Sequence, residues 1–347
     1  MSSSDSAIVV QSPSDSLPVP NSTNQDDEVS PRRFGGREVG RFLIRYGMAW
    51  VLIVFAVVAS LLYPGFFSGG NVNNMVAQVV PVGIVALGMT FVMIAGGFDL
   101  SVAAVFAGAS VVYASMSNVT SSLWVAGGLT IALGVGCGVV NGVIITLMRV
   151  NPFVATLSTA SLFSGATLLY TNSLPVTPED PAFSTLGTEK WGGIWITVYV
   201  LVALIVVAGI FLSRTVYGRS VYAVGGNFEA ARLAGIRVNT VKVTTYMLTG
   251  ACAALGGMIT ASQISVGQPT LGATVTLDAI AIVIIGGTSL MGGEGSIWRT
   301  AMGLAIWAMI SNLFSSLAVT TGARLLAVGA IVLIAVAVDS LARRLRH

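Results

Sequence analysis

Histidine, lysine and cysteine are almost missing from this sequence, and each scarcity closes off a class of chemistry. One histidine occurs, at position 347, so neither a His-Glu-x-x-His zinc site nor a Ser-His-Asp triad can be assembled. The two lysines stand in Glu189-Lys190-Trp191 and Val241-Lys242-Val243. A phosphate-cradling P-loop needs Gly-Lys followed by Ser or Thr, which neither offers. Cys137 and Cys252 lie within apolar stretches, where free cysteine packs as a small hydrophobe rather than forming a disulfide or metal pair. Charge is scarce too: 9% of residues are charged, against about 25% in an ordinary soluble domain. Without a nucleophile–base pair, metal set or cofactor motif, the sequence reads as a non-enzyme.

What is present is grease and glycine. The 347 residues are 54% hydrophobic, with 40 glycines and a mean hydropathy of +0.86. Arg45 to Asp99 encloses 53 uncharged residues, Asp99 to Arg149 encloses 49, and Lys242 to Asp278 encloses 35. A helix needs about 20 apolar residues to cross a bilayer, so these runs hold spans and uncharged turns. The pattern predicts an all-α polytopic membrane protein. The net charge of +3 does not point to nucleic acid, because the basic residues flank apolar segments.

Residues 1–45 read as a disordered tail rich in Ser, Pro, Asp and Asn, ending in the basic series Arg32, Arg33, Arg37, Arg41 and Arg45. Its apolar content starts too late for a cleavable signal peptide. The transmembrane domain is expected over 46–342. Ten spans are placed at about 47–67, 73–95, 100–117, 123–148, 152–171, 194–212, 243–265, 275–290, 296–316 and 323–341. With both termini cytoplasmic, 15 Lys and Arg fall inside, and only Lys190 and Arg324 fall outside. Pro81 and Gly83 in the second span, and Gly286-Gly287 ending the eighth, are either packing kinks or cavity-lining breaks. The glycines of the fourth span, including Gly134, Gly138 and Gly142, fit close helix packing. Ile94-Ala95-Gly96-Gly97 is weakly echoed by Ile284-Ile285-Gly286-Gly287, as reused turn chemistry.

The inner 213–242 loop is the longest polar connection on that side. Asn227 is suited to cap a short helix with Glu229 in its positive first turn. Ala230, Ala231 and Ala234 keep one surface smooth, and Gly235 can end the helix. Such a helix can insert into a partner's groove, or the loop can be a solvated connector. Asp99 and Asp278 sit at expected span starts, where helix capping is favoured over a role as intramembrane acids. Asn141, Thr156, Ser158, Thr159, Gln263 and Ser265 could line a path for a neutral, hydroxyl-rich solute, or bond helix to helix.

Glu229-Ala230-Ala231, Arg232 and then Gly235 resemble the permease signature by which bacterial ATP-binding-cassette importers touch their ATPase. The order of further segments resembles the ribose-type sugar permeases: Gly96-Gly97-Phe98-Asp99-Leu100-Ser101, Asn141-Gly142, Pro152 to Leu157, Gln268-Pro269, Leu277-Asp278-Ala279, and Gly286-Gly287-Thr288-Ser289-Leu290. The likeness spans about 47–341. It departs from the pattern at Gly293-Glu294-Gly295, where many such permeases have lysine. The resemblance implies a homodimer in the bacterial cytoplasmic membrane, two ATPase subunits beneath it, and a periplasmic or lipid-anchored sugar-binding protein outside. It also implies that Asn227, Glu229, Ala230, Ala231, Arg232 and Gly235 couple to the ATPase, with no cofactor on this chain. The competing reading is an ATPase-independent secondary transporter of a small neutral solute.

Overall fold

The computed structural model describes residues 47–344, so the tail expected over 1–45 lies outside the described residues. Apolar sequence becomes helix wherever it runs uninterrupted, and the polar residues between runs supply the caps. The long helices are α1 (Gly47–Leu62), α2 (Gly69–Ile94), α3 (Val102–Val119), α4 (Leu123–Leu147) and α5 (Pro152–Thr171). After an ordered loop come α6 (Thr185–Thr188), the strands β1 (Lys190–Trp191) and β2 (Ile194–Trp195), and α7 (Ile196–Arg214). Two short helices, α8 (Val216–Gly226) and α9 (Phe228–Leu233), lead to α10 (Val238–Ile264). The chain closes with α11 (Val275–Ile285), α12 (Ile297–Ser316) and α13 (Thr321–Arg344). Each of the ten expected spans coincides with one helix. Six of them, α2 to α5, α7 and α10, are both long and apolar enough to cross a bilayer.

The eighth span departs from expectation. α11 has 11 residues, so it rises about 16 Å and covers roughly half of a bilayer core. The other half is a run of turns over residues 269–274. Gln268 lies against the middle of α3, its N–H donating to Ser110 Oγ at 3.2 Å while Ser110 Oγ donates to its carbonyl at 3.1 Å. Irregular backbone at this depth must be buried in protein or line a water-filled space; Gln268 rests on α3, while Thr270 and Thr274 are exposed. The second span contrasts with this: α2 runs through Pro81 without a break.

α2 is the axis of the molecule, buried along nearly all of Val79–Ile94 and packed by α7, α10, α11 and α12. α10 is the second axis and also carries α3 and α4. Gly134 and Gly138 of α4 lie directly on the α10 backbone, at the carbonyls of Gly250 and Tyr246. Lipid tails are as apolar as leucine, so no hydrophobic drive holds these helices together, and close backbone approach takes its place. α1, α7 and α13 turn Val57, Leu61, Val202, Val206, Ile210, Leu326 and Leu333 outward, as lipid-facing helices must.

The helix ends sort onto two faces. One, the basic face, carries Arg149, Arg214, Arg219, Arg232, Arg237 and Arg299. On the opposite face the 172–195 loop folds down. Val176 pairs with Gly267, Phe183 stacks on Tyr113 at 4.7 Å, and a hairpin with Gly192 and Gly193 at positive φ pairs Lys190 with Trp195.

Both glycine echoes end helices in the same way. Gly96, at φ +75°, donates to the Met93 carbonyl and Gly97 to that of Val92. Gly287, also at φ +75°, donates to Ile284 and Thr288 to Val283. This is the Schellman pattern. The left-handed residue is the first glycine of one pair and the second of the other, so the turns match one residue out of the sequence register.

Candidate functional site

The basic face is built around α8 and α9. Thr215 Oγ1 accepts from Gly218 N at 3.0 Å to start α8, and Asn227 Oδ1 accepts from Ala230 N at 2.9 Å to start α9. Gly235, at φ +81°, donates to the Arg232 carbonyl, and Ile236 donates to that of Ala231, closing α9 after six residues. Ala231 is buried against the protein, while Glu229, Ala230, Arg232 and Gly235 face outward. Glu229 and Arg232 form an ion pair at 2.9 Å, with both side chains more than 60% exposed. Such a pair contributes only about 0–1 kcal/mol to the fold and leaves both charges open to a partner. The loop is therefore a short capped helix anchored through Ala231, with most of its surface exposed.

Three apolar side chains stand proud of this polar surface: Phe228 (40% exposed), Leu233 (82%) and Met291 (75%). Sequence reasoning missed them. Their signal was available, because a leucine ending a charged helical turn has no intramolecular reason to be apolar.

Directly behind α9 three glycine segments meet backbone to backbone. A Cβ on Gly225 would strike the Ile94 carbonyl and sit 2.7 Å from Gly293 N; one on Gly293 would meet Gly226 Cα at 2.8 Å; one on Gly292 would meet Gly96 Cα at 2.8 Å. Gly293 N donates to the Ile94 carbonyl at 2.8 Å, and Tyr222 Oη donates to that of Gly295 at 2.8 Å. The end of α8, the end of α2 and the 286–296 turn after α11 are thus locked at one knot.

The residues expected to line a path separate into two groups. Asn141, Thr156 and Thr159 are buried and tied to the 95–101 link. Asn141 Nδ2 donates to Ser101 Oγ at 2.7 Å, Thr159 Oγ1 to Asn141 Oδ1 at 2.6 Å, and Leu100 N to Thr156 Oγ1 at 3.1 Å. Tyr246 Oη adds a bond to the Phe98 carbonyl at 3.0 Å. Ser158 and Ser265 are exposed, Ser265 at the left-handed residue that ends α10. Gln263 is half-buried, with Nε2 3.4 Å from the Ala77 carbonyl of α2.

The two acids serve local structure in ways the sequence did not specify. Asp99 stands two residues before α3, and its Oδ1 accepts from both the N–H and the hydroxyl of Ser101 at 2.9 and 2.6 Å. Burial pushes its carboxyl up to about 6, against the pull of the Ser101 and Asn141 bonds. Asp278 lies in the first turn of α11, where the dipole favours it, and its Oδ2 accepts from Thr274 Oγ1 at 3.0 Å.

The sequence matches the family described as "Branched-chain amino acid transport system / permease component" over residues 71–337. It is 36% identical to a ribose import permease protein of Haemophilus influenzae over 87% of this chain and 95% of that one. Identity is 39% to the ribose import permease protein of Bacillus subtilis, covering 83% and 90%. An L-arabinose transport system permease protein of Escherichia coli is 34% identical, covering 86% and 92%. No solved structure matches the chain.

Proposed function

Because the chain belongs to the branched-chain amino acid transport system / permease component family, we propose that it is the membrane-spanning subunit of a sugar importer driven by a separate ATPase. The observation that carries this reading is α9: a capped, six-residue helix, anchored through Ala231, that offers Glu229, Arg232 and Leu233 to a partner. On this reading the basic face is cytoplasmic, as are both termini, and the 172–195 loop faces outward in the bacterial inner membrane. Two copies form the pathway, an ATPase sits under each, and a soluble or lipid-anchored binding protein delivers solute.

The family description names amino acids, whereas the similar proteins are named for ribose and arabinose. The chemistry of this chain favours the sugar. A zwitterion leaving water calls for fixed charges of both signs along its way. Asp99 is buried and bonded to Ser101, and Asp278 is bonded to Thr274, which leaves neutral hydroxyls and amides as the natural partners. A proton-driven carrier needs free titratable groups in the membrane, and these two acids are committed to local structure.

Closure of the ATPase pair around ATP draws the two α9 helices together. The glycine knot passes this movement to α2 and to the turn after α11, and the helices tilt between inward-open and outward-open states. Leu233→Asp tests the docking surface cleanly, since the position is 82% exposed and adds nothing to the core. The expected result is normal membrane insertion with loss of ATPase co-purification. Retained co-purification would remove α9 as the docking element.

A further inference from the structure

We propose that the solute's path runs along a polar stripe formed by Asn74 and Gln78 of α2, Gln263 of α10, and Thr270 and Thr274 of the turns before α11. The proposal rests on the importer reading and names the wall the sugar touches.

α2 is the most enclosed span of the molecule, with 89% of its apolar window buried. The side chains it exposes past its first two glycines are Asn74 and Gln78, one helical turn apart on a single face. Gln78 is nine residues into a helix about 39 Å long, which places it well inside a hydrocarbon layer of about 30 Å. Neither amide makes a hydrogen bond among the described residues. An exposed, unpartnered amide at that depth cannot face lipid, where its lost water bonds would go unreplaced. It must face water or another copy of the chain. The apolar faces of α1, α7 and α13 show what this sequence does where lipid is the neighbour.

The adjoining surface has the same character. Gln263 reaches the α2 backbone beside Gln78, at the Ala77 carbonyl. α11 packs alongside α2, and their inner ends are joined where Gly293 bonds Ile94. Counting back 11 residues from that joint sets the start of α11 level with roughly the middle of α2. Thr270 and Thr274, both exposed, therefore belong to the same mid-membrane zone, and Gln268 Nε2 orients Thr270 at 3.3 Å. Amides and hydroxyls present donors and acceptors together, which matches vicinal diols and leaves an ion without a countercharge. Discontinuous helices of this kind commonly border transporter substrate sites, and α11 is one.

The test uses the full chain assembled with its ATPase and binding protein in proteoliposomes, with Cys137→Ala and Cys252→Ala as background. Uptake by that background, measured first, checks the importer reading independently. Asn74→Cys, Gln78→Cys and the lipid-facing control Val206→Cys are then exposed to a charged, membrane-impermeant methanethiosulfonate, with and without ATP. The expected result is modification of Gln78→Cys faster than the control by on the order of tenfold in at least one nucleotide state, since charged reagents enter water-filled space and not lipid. Modification should block uptake while ATP hydrolysis continues. Reaction no faster than Val206→Cys in either state overturns the proposal. So does disulfide cross-linking between two Gln78→Cys copies without reagent access, which would make the stripe a dry contact.

Discussion

Asp99 shows what one buried carboxylate does to a membrane protein's core. Its carboxyl is raised from 3.8 to about 6 by burial, so below about pH 6 the folded chain holds it neutral. The sign follows: the group weakens the fold above pH ~6, and that cost is relieved as pH falls from about 6 towards 4. In Asp99→Asn the Ser101 bonds are retained through the amide oxygen, and the melting temperature should lose this part of its pH dependence. Asp99→Ala strands the Ser101 N–H and one Asn141 donor, costing about 1–3 kcal/mol. Thermal unfolding in detergent between pH 4 and 8 measures both. At this scale the sequence was half legible. Asp99, Asn141, Thr156 and Thr159 stand out as polar residues in apolar surroundings, but whether they face a channel or each other is a property of helix rotation. Asn74 and Gln78 were equally visible and were passed over, since exposure cannot be read from a span whose faces are nearly uniform in hydropathy.

Among elements, α9 was the easiest to foresee and α11 the hardest. Asn227, Glu229 and Gly235 are cap, dipole partner and terminator in fixed order, so local chemistry alone specifies α9. Nothing local marks 275–290 as half a span. Its apolar run simply stops at Gly286, and the turns before it are tied at Gln268 to Ser110, far away in sequence. The glycine knot likewise needs three distant segments to be seen at once. Gly225→Ala forces a methyl into the Ile94 carbonyl, so α8 must move off α2. The expected outcome is a protein that still binds its ATPase but uncouples, with hydrolysis retained and solute uptake reduced at least about tenfold. Gly235→Ala tests the neighbouring link: a φ of +81° costs a β-carbon about 1–2 kcal/mol, which frays α9 and weakens ATPase co-purification.

For the whole molecule, the proposed account pairs a polar mid-membrane wall with an exposed helix α9 on the basic face, in a sequence without a Walker-type lysine. Fold class was readable from charge gaps, because the bilayer permits only helices or closed barrels. The division of labour was readable from what is missing. On the proposed reading energy enters at α9 from another chain, and α2 and α11, the helices joined at the knot, border the proposed stripe. The measurement that bears most directly on this is uphill uptake in proteoliposomes, comparing the chain alone with the chain plus ATPase and binding protein, each with and without ATP. Accumulation of D-ribose or L-arabinose above the external concentration is expected only in the complete assembly with ATP. Accumulation by the isolated chain, driven by a proton gradient and indifferent to ATP, would contradict the account.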